Sequence, residues 1–303
     1  MAPWFASERE RCFESRSRSA WLAFLQHAAR LGSLAALLAA PVLGACTPKL
    51  NAGAWECPAQ RDADGGVAGA RGKGDPVTVP WSTGFEDGFC DFPSSEGAGF
   101  CYGDDPYLLV SEPHHSGHLA AEFKVVGDAN AYKQTRCVRH GALPVSAYYG
   151  AYYFIPEALE KAPNWNLFHF QGGQVDDRTL SGSWDVTLSK IADSNEWELL
   201  VKDAAASPPP ADPAIYKADK PKAVPFGKWF HIELFVKRAA DATGKIALYQ
   251  DGETLFELSN LKSDASPFTQ WYVGDWADGA TPANSSLYVD DMSISASRTS
   301  ATP

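Results

Sequence analysis

The chain has 303 residues, 45% of them hydrophobic and 21% charged, with a formal net charge of −11. That is enough apolar material for a real core, and it fits one large domain better than two small ones. The acidic balance excludes a nucleic-acid binder, whose target demands a basic face, and excludes bulk attraction to polyanions; a local basic patch stays open.

In chain order, the first element is a leader. Arg30 precedes the apolar run 31–43, which is too short to span a bilayer as a stable helix and ends in small residues. The run closes on Leu43-Gly44-Ala45-Cys46, which resembles the lipobox of bacterial lipoproteins at every position. The resemblance implies cleavage before Cys46 and acylation of its thiol and new amine. It also implies an exported protein held on the bacterial cell envelope (outer membrane or cell surface) by two or three acyl chains. An ordinary signal peptide is the plainer alternative. The stretch before Leu31 is long and mixed in charge (Glu8, Arg9, Glu10, Arg11, Glu14), as an over-long start would be. Residues 1–45 carry five Arg and three Glu, so removing them leaves about −13.

Residues 46–76 follow the leader, rich in Gly, Ala, Asp and Arg without a period, which predicts a flexible tether. From residue 77 the pattern changes. Short runs of aromatic and β-branched residues recur between Gly, Pro, Asn and Asp clusters, the signature of an all-β domain over 77–298 with a tail at 299–303. The clearest runs are 120–126, 134–138, 148–155, 167–171, 184–191, 197–201, 229–236, 245–250, 271–273 and 286–294. Helical periodicity is nearly absent, and the SPPPADP stretch at 207–213 reads as an exposed loop. Two packed antiparallel sheets are predicted.

Cysteine arithmetic agrees with export. Setting aside Cys12 in the leader and Cys46 under lipid leaves Cys57, Cys90, Cys101 and Cys137, an even set that predicts two disulfides. Three pairings are open. Cys90–Cys101, bracketing the loop 91–100, is favoured, which leaves Cys57–Cys137. No CxxC spacing suggests zinc.

Three stretches carry a resemblance: TGFEDG (83–88), GKWFHIELFVK…GKIALYQDGETLFE (227–257) and WYVGDW…SSLYVDDMSIS (271–295). Together, in this order, they resemble the concanavalin A-like jelly-roll group. That group includes laminin-G-type domains, legume-type lectins, several polysaccharide lyases and some glucanases. No one subfamily's catalytic signature runs through the whole domain. The middle stretch makes sense unaided: Phe230, Ile232, Leu234 and Val236 form one apolar face of a strand, and Asp251-Gly252 turns a hairpin.

What the resemblance implies about sites is specific. Related sandwich modules share a structural Ca²⁺ between an early carboxylate and one in the last strand, which here singles out Glu86, Asp87 and Asp290 as oxygen ligands. Ordinary turn carboxylates are the alternative. On the run 167–171, alternation puts Phe168 and Phe170 on one face, with His169 and Gln171 on the other. KQTRCVRH (133–140) can add Arg136, Arg139 and His140, and YYGAYY (148–153) can add tyrosines, making an electropositive groove. Lyases of this fold cleave uronic-acid polymers with such a set. By resemblance His169 is the base, Gln171 and Arg136 neutralise the sugar carboxylate, and Tyr148 or Tyr152 is the acid. Arg139, His140 and the loop residue Trp276 would contact the glycan. Glu196 and Glu198, two apart, are a weaker hydrolase pair.

Three functions follow. Recognition of a polysaccharide on the concave face of the sandwich comes first. Cleavage of uronic-acid polymers by β-elimination is the alternative, and a structural or adhesive surface lipoprotein is the third. The residues are silent on oligomeric state, and on a membrane partner beyond the lipid anchor.

Overall fold

The computed structural model describes residues 50–51, 79–92, 99–103, 106–125, 132–160, 165–172, 182–203, 214–264, 266, 269–278 and 285–299. All of them belong to one unit, Thr47–Pro303. The leader, Cys46, Cys57, the loop 207–213 and most of the tether lie outside the described residues, and so does the Trp276 side chain.

Sixteen strands and no helix appear among the described residues. They are β1 (Leu50–Asn51), β2 (Trp81–Thr83), β3 (Gly99–Gly103), β4 (Tyr107–Val110), β5 (Ala120–Val125), β6 (Tyr132–Gly141), β7 (Ser146–Phe154) and β8 (Asn166–Gly172). The second half adds β9 (Gly182–Lys190), β10 (Trp197–Asp203), β11 (Ala214–Tyr216), β12 (Trp229–Lys237), β13 (Gly244–Gln250), β14 (Glu253–Leu261), β15 (Thr269–Asp278) and β16 (Ser285–Ser295). Every run singled out in the sequence is a strand. The extra ones are mostly short pieces, including Leu50–Asn51 inside the expected tether.

The strands form two antiparallel sheets. The larger is ordered β1-β4-β5-β16-β7-β12-β13-β14, with β2 also on β16; the smaller is β11-β10-β9-β8-β15-β6-β3. Neighbours in each sheet are often far apart in sequence, as a jelly-roll sandwich requires, so each sheet's composition is set by long-range pairing.

The core between the sheets follows from the two-residue period of a strand. In the smaller sheet Phe168, Phe170, Trp184, Val186, Trp271, Val273 and Cys137 face inward. In the larger sheet Tyr149, Ala151, Tyr153, Phe230, Ile232, Leu234, Ile246 and Leu248 meet them. Trp271 sits at the centre, edge-on to Tyr149 at 5.5 Å and tilted against Phe168 at 5.5 Å. Such pairs add to the stabilisation from area burial alone. Trp165, Trp184 and Trp197 are buried as well.

The disulfide pairing differs from the favoured one. Cys101 on β3 is bonded to Cys137 on β6, directly opposite it in the β3–β6 register. Cys90 is also disulfide-bonded, and therefore to neither of them. Proximity in sequence suggested the loop 91–100 as the bridged segment; strand pairing decided otherwise, because β3 lies beside β6. The bridge closes a loop with a sequence separation of 36. Removing it by Cys101→Ser with Cys137→Ser is expected to lower unfolding free energy by roughly 2–4 kcal/mol in denaturant titration. Unchanged stability would show that the bridge constrains nothing.

Candidate active site on the seven-stranded sheet

The residues between the core positions of the smaller sheet point to its outer face. On β8 these are His169 and Gln171, on β15 Gln270 and Tyr272, on β9 Ser183 and Asp185, on β6 Arg136 and His140, and on β3 Phe100 and Tyr102. Register brings them into rows. His169 lies opposite Asp185 on one side and Tyr272 on the other. Gln171 lies opposite Gln270, which in turn lies opposite His140. Arg136 lies opposite Tyr102.

These neighbours are bonded as well as adjacent. His169 Nδ1 is hydrogen-bonded to Asp185 Oδ1, and its Nε2 lies 2.9 Å from Gln171 Oε1. Gln270 Nε2 donates to the same Gln171 oxygen at 2.9 Å. The Tyr272 ring stacks on the imidazole, centroids 4.5 Å apart and planes at 17°. The Arg136 guanidinium covers Tyr272 at 4.5 Å and Tyr102 at 4.9 Å. Asn166 Nδ2 donates to the Tyr272 hydroxyl at 3.4 Å. Complete burial pushes the Tyr272 phenol far above its ordinary value, against the lowering pull of Arg136, so it stays protonated.

Gly274 makes room for this arrangement. It has φ +139°, and a Cβ there would come within 2.3 Å of the Thr135 carbonyl oxygen and 2.7 Å of Arg136 Cα. It sits at a register shift between β15 and β8, where a bulge re-aims side chains. A side chain at 274 would push β6, and Arg136 with it, away from Tyr272.

The sequence-predicted residues are only partly gathered. His169, Gln171, Arg136 and His140 share this face, His140 packing on Phe100 at 5.5 Å. Three corrections follow. Tyr148 and Tyr152 are on β7, in the other sheet, and alternate with the core residues Tyr149 and Tyr153. They therefore face outward on the far side of the sandwich, across the core from His169. Arg139 is an odd number of positions from Arg136, so it points inward; it is 5% exposed and covers the Trp81 ring at 4.5 Å. His169 itself is 4% exposed, not the centre of an open groove, while Gln171, Arg136 and Tyr102 are half-buried. Tyr272, Tyr102, Asp185 and Gln270 went unread in the sequence, although Asp185 and Tyr272 each stand between two core residues, which marks an outward position.

The two glutamates of the hydrolase pair do not form one. Glu198 is buried and bound by Lys217 Nζ at 2.9 Å, and Glu196 is exposed ahead of β10.

Two of the three carboxylates expected as calcium ligands accept hydrogen bonds from backbone amides. Glu86 Oε1 accepts from His118 N at 2.7 Å and Leu119 N at 2.9 Å. Gly117 leaves the space for it, since a Cβ there would lie 2.2 Å from that oxygen. Asp290 Oδ2 accepts from His115 N at 2.8 Å and Ser116 N at 3.2 Å. Asp87 is exposed in the turn after β2. Among the described residues no three His, Cys, Asp or Glu gather as metal ligands. Glu86 and Asp290 tie the loop 115–119 to the ends of the domain directly.

Tyr152 does lie beside a hollow, on the opposite sheet. A cleft of about 410 Å³ there is lined by His115, Tyr152, His231 and Asp291 among others. His115 stacks on Tyr152 at 3.5 Å and its Nδ1 is 2.6 Å from Asp291 Oδ2. Burial drives the His231 pKa down to about 4, so that ring is neutral near pH 7.

A family model described as polysaccharide lyase matches residues 103–293. No curated protein matches the chain. Among solved structures, the endo-β-1,4-glucuronan lyase of the fungus Trichoderma reesei is 17% identical and covers 73% of this chain and 97% of its own, with a TM-score of 0.51. The marine PL-14 alginate lyase of Aplysia kurodai is 12% identical, covers 72% and 99%, and has a TM-score of 0.48. At 17% identity the likeness to the glucuronan lyase is one of fold.

Burial, followed by the neighbouring Asp291 charge, pushes the Asp290 carboxyl up to about 6 from an ordinary 3.8. A raised carboxyl stabilises the fold fully below about pH 4 and loses that contribution as pH rises through 6. Denaturant titrations between pH 4 and 7 should therefore show wild type losing up to about 3 kcal/mol relative to Asp290→Asn over that window. Parallel curves for the two proteins would show that Asp290 is ionised throughout.

Proposed function

Since the chain belongs to the polysaccharide lyase family, we propose that the outer face of its seven-stranded sheet cleaves uronic-acid polymers by β-elimination. The sequence reading ranked recognition first and cleavage second; the family match reverses that order. The observation that carries the reading is the row Asp185–His169–Tyr272 with Arg136 on Tyr272: a partnered imidazole and a fixed cation that both pack on one buried tyrosine ring.

The chemistry needs four tasks. The sugar carboxylate must be neutralised so that the proton on the adjacent carbon becomes acidic; Arg136 supplies the positive charge and Gln171 an amide donor. A base must take that proton. We assign this to His169 Nε2, which the substrate reaches by displacing its 2.9 Å contact with Gln171, because Nδ1 is held by the Asp185 carboxylate. The electron pair left on C5 becomes the C4–C5 double bond as the C4–O4 bond breaks. The leaving oxygen then needs a proton, and Tyr102, the half-buried phenol on this face, is the donor; Tyr272 is fully buried between His169 and Arg136. Products are a new non-reducing end bearing an unsaturated uronate and a new reducing end.

We place this activity on the cell envelope, tethered through Cys46. The Cys101–Cys137 disulfide supports export, because such bonds persist in oxidising compartments.

Glucuronan and alginate incubated with the protein should gain ultraviolet absorbance from the unsaturated product end. His169→Ala should abolish the gain, and Arg136→Ala and Tyr102→Phe should each lower kcat/KM by roughly 10²-fold or more. Retained binding with no product on any polyuronate would leave recognition as the function. A fully active His169→Ala variant would move the site elsewhere.

A further inference from the structure

The environment of His169 determines more than its place. A carboxylate can only accept a hydrogen bond, so Asp185 Oδ1 at Nδ1 requires a proton on that nitrogen. The nitrogen left to gain and lose a proton is Nε2. There the partner is an amide, which accepts through its oxygen or donates through its nitrogen according to which end it presents.

Gln171 presents its oxygen, 2.9 Å from Nε2, and that oxygen is also held by Gln270 Nε2 at 2.9 Å. An oxygen facing Nε2 is matched by a ring that carries a proton on both nitrogens, the imidazolium. A neutral ring is matched by the Gln171 nitrogen instead. That orientation would set two amide nitrogens against each other unless Gln270 turned over too. The two amides are coupled through that shared oxygen.

We propose that Asp185 and Gln270 are positioning residues for His169. Asp185 fixes the Nδ1–H tautomer so that Nε2 is the basic atom. Gln270 holds Gln171 ready to receive Nε2–H once the proton has been taken. This rests on the lyase reading above. Both residues reach the site by cross-strand register alone, Asp185 opposite His169 and Gln270 opposite Gln171. Both lie on the outer face, with His169 and Asp185 side chains 5% and 15% exposed. Shielding from water strengthens the carboxylate's hold on the ring. Stacking of Tyr272 at 17° keeps the imidazole plane aligned with both partners.

The test is long-range ¹⁵N–¹H correlation spectroscopy of the full chain with labelled histidine, alongside pH profiles on a polyuronate that the wild type cleaves. Wild type should show His169 as the Nδ1–H tautomer when neutral. The isosteric Asp185→Asn should shift it toward Nε2–H and lower kcat by roughly 10²–10⁴-fold with little change in KM. It should also move the acid limb of kcat/KM to lower pH, because the imidazolium has lost its counter-charge. Asp185→Glu should restore part of the rate. Gln270→Ala should leave the tautomer alone and lower the pH of that limb by a smaller amount. Unchanged tautomer and pH limb in folded Asp185→Asn, with His169→Ala inactive, would overturn the positioning role. An active His169→Ala would instead overturn the lyase reading, and the tautomer measurement would still decide what Asp185 does.

Discussion

The site depends on one constraint, the alternation of side chains along a pleated strand. Trp271 and Val273 on β15, Phe168 and Phe170 on β8, and Trp184 and Val186 on β9 are committed to the core by their apolar bulk. Each residue between them is forced to the opposite face. Tyr272, His169 and Asp185 are those residues. The aromatic core therefore builds the polar row on its other side, and a one-residue slip of β8 would turn His169 into the core and Phe168 onto the outer face.

Register then does what alternation cannot. It sets Asp185 and Tyr272 against the two flanks of His169, and Gln270 against Gln171. None of these pairs is close in the chain: Asp185 is 16 residues from His169, and Gln270 is 99 from Gln171. The imidazole is thus gripped at Nδ1 and along one ring face by strands that a jelly-roll topology makes neighbours, and at Nε2 by Gln171 of its own strand. Arg136, covering Tyr272 and Tyr102, adds the positive charge that an otherwise acidic protein needs if a polyuronate is to approach.

The division between what was readable and what was not follows the same physics. Local periodicity carries faces, so the strands at 167–171 and 229–236 and their core residues were legible in the sequence. Parity also held the information that Arg136 and Arg139 diverge. Sheet membership is a long-range property, which is why Tyr148 and Tyr152 were grouped with His169 although β7 belongs to the other sheet. The same reason explains the cysteines: the short loop from Cys90 to Cys101 suggested a bridge, while the pairing of β3 with β6 put Cys101 opposite Cys137. The very short strands β1, β2 and β11 carry too few residues to show a period at all.

The proposed role of His169 requires a polymer to lie across the seven-stranded sheet and not over the cleft beside Tyr152. Hydrogen–deuterium exchange of the His169→Ala protein, with and without an oligouronate, measures that most directly. Slowed exchange over 132–141, 166–172 and 269–278, with 146–154 and 229–237 unaffected, is the predicted result. Protection confined to the second pair of segments would contradict it.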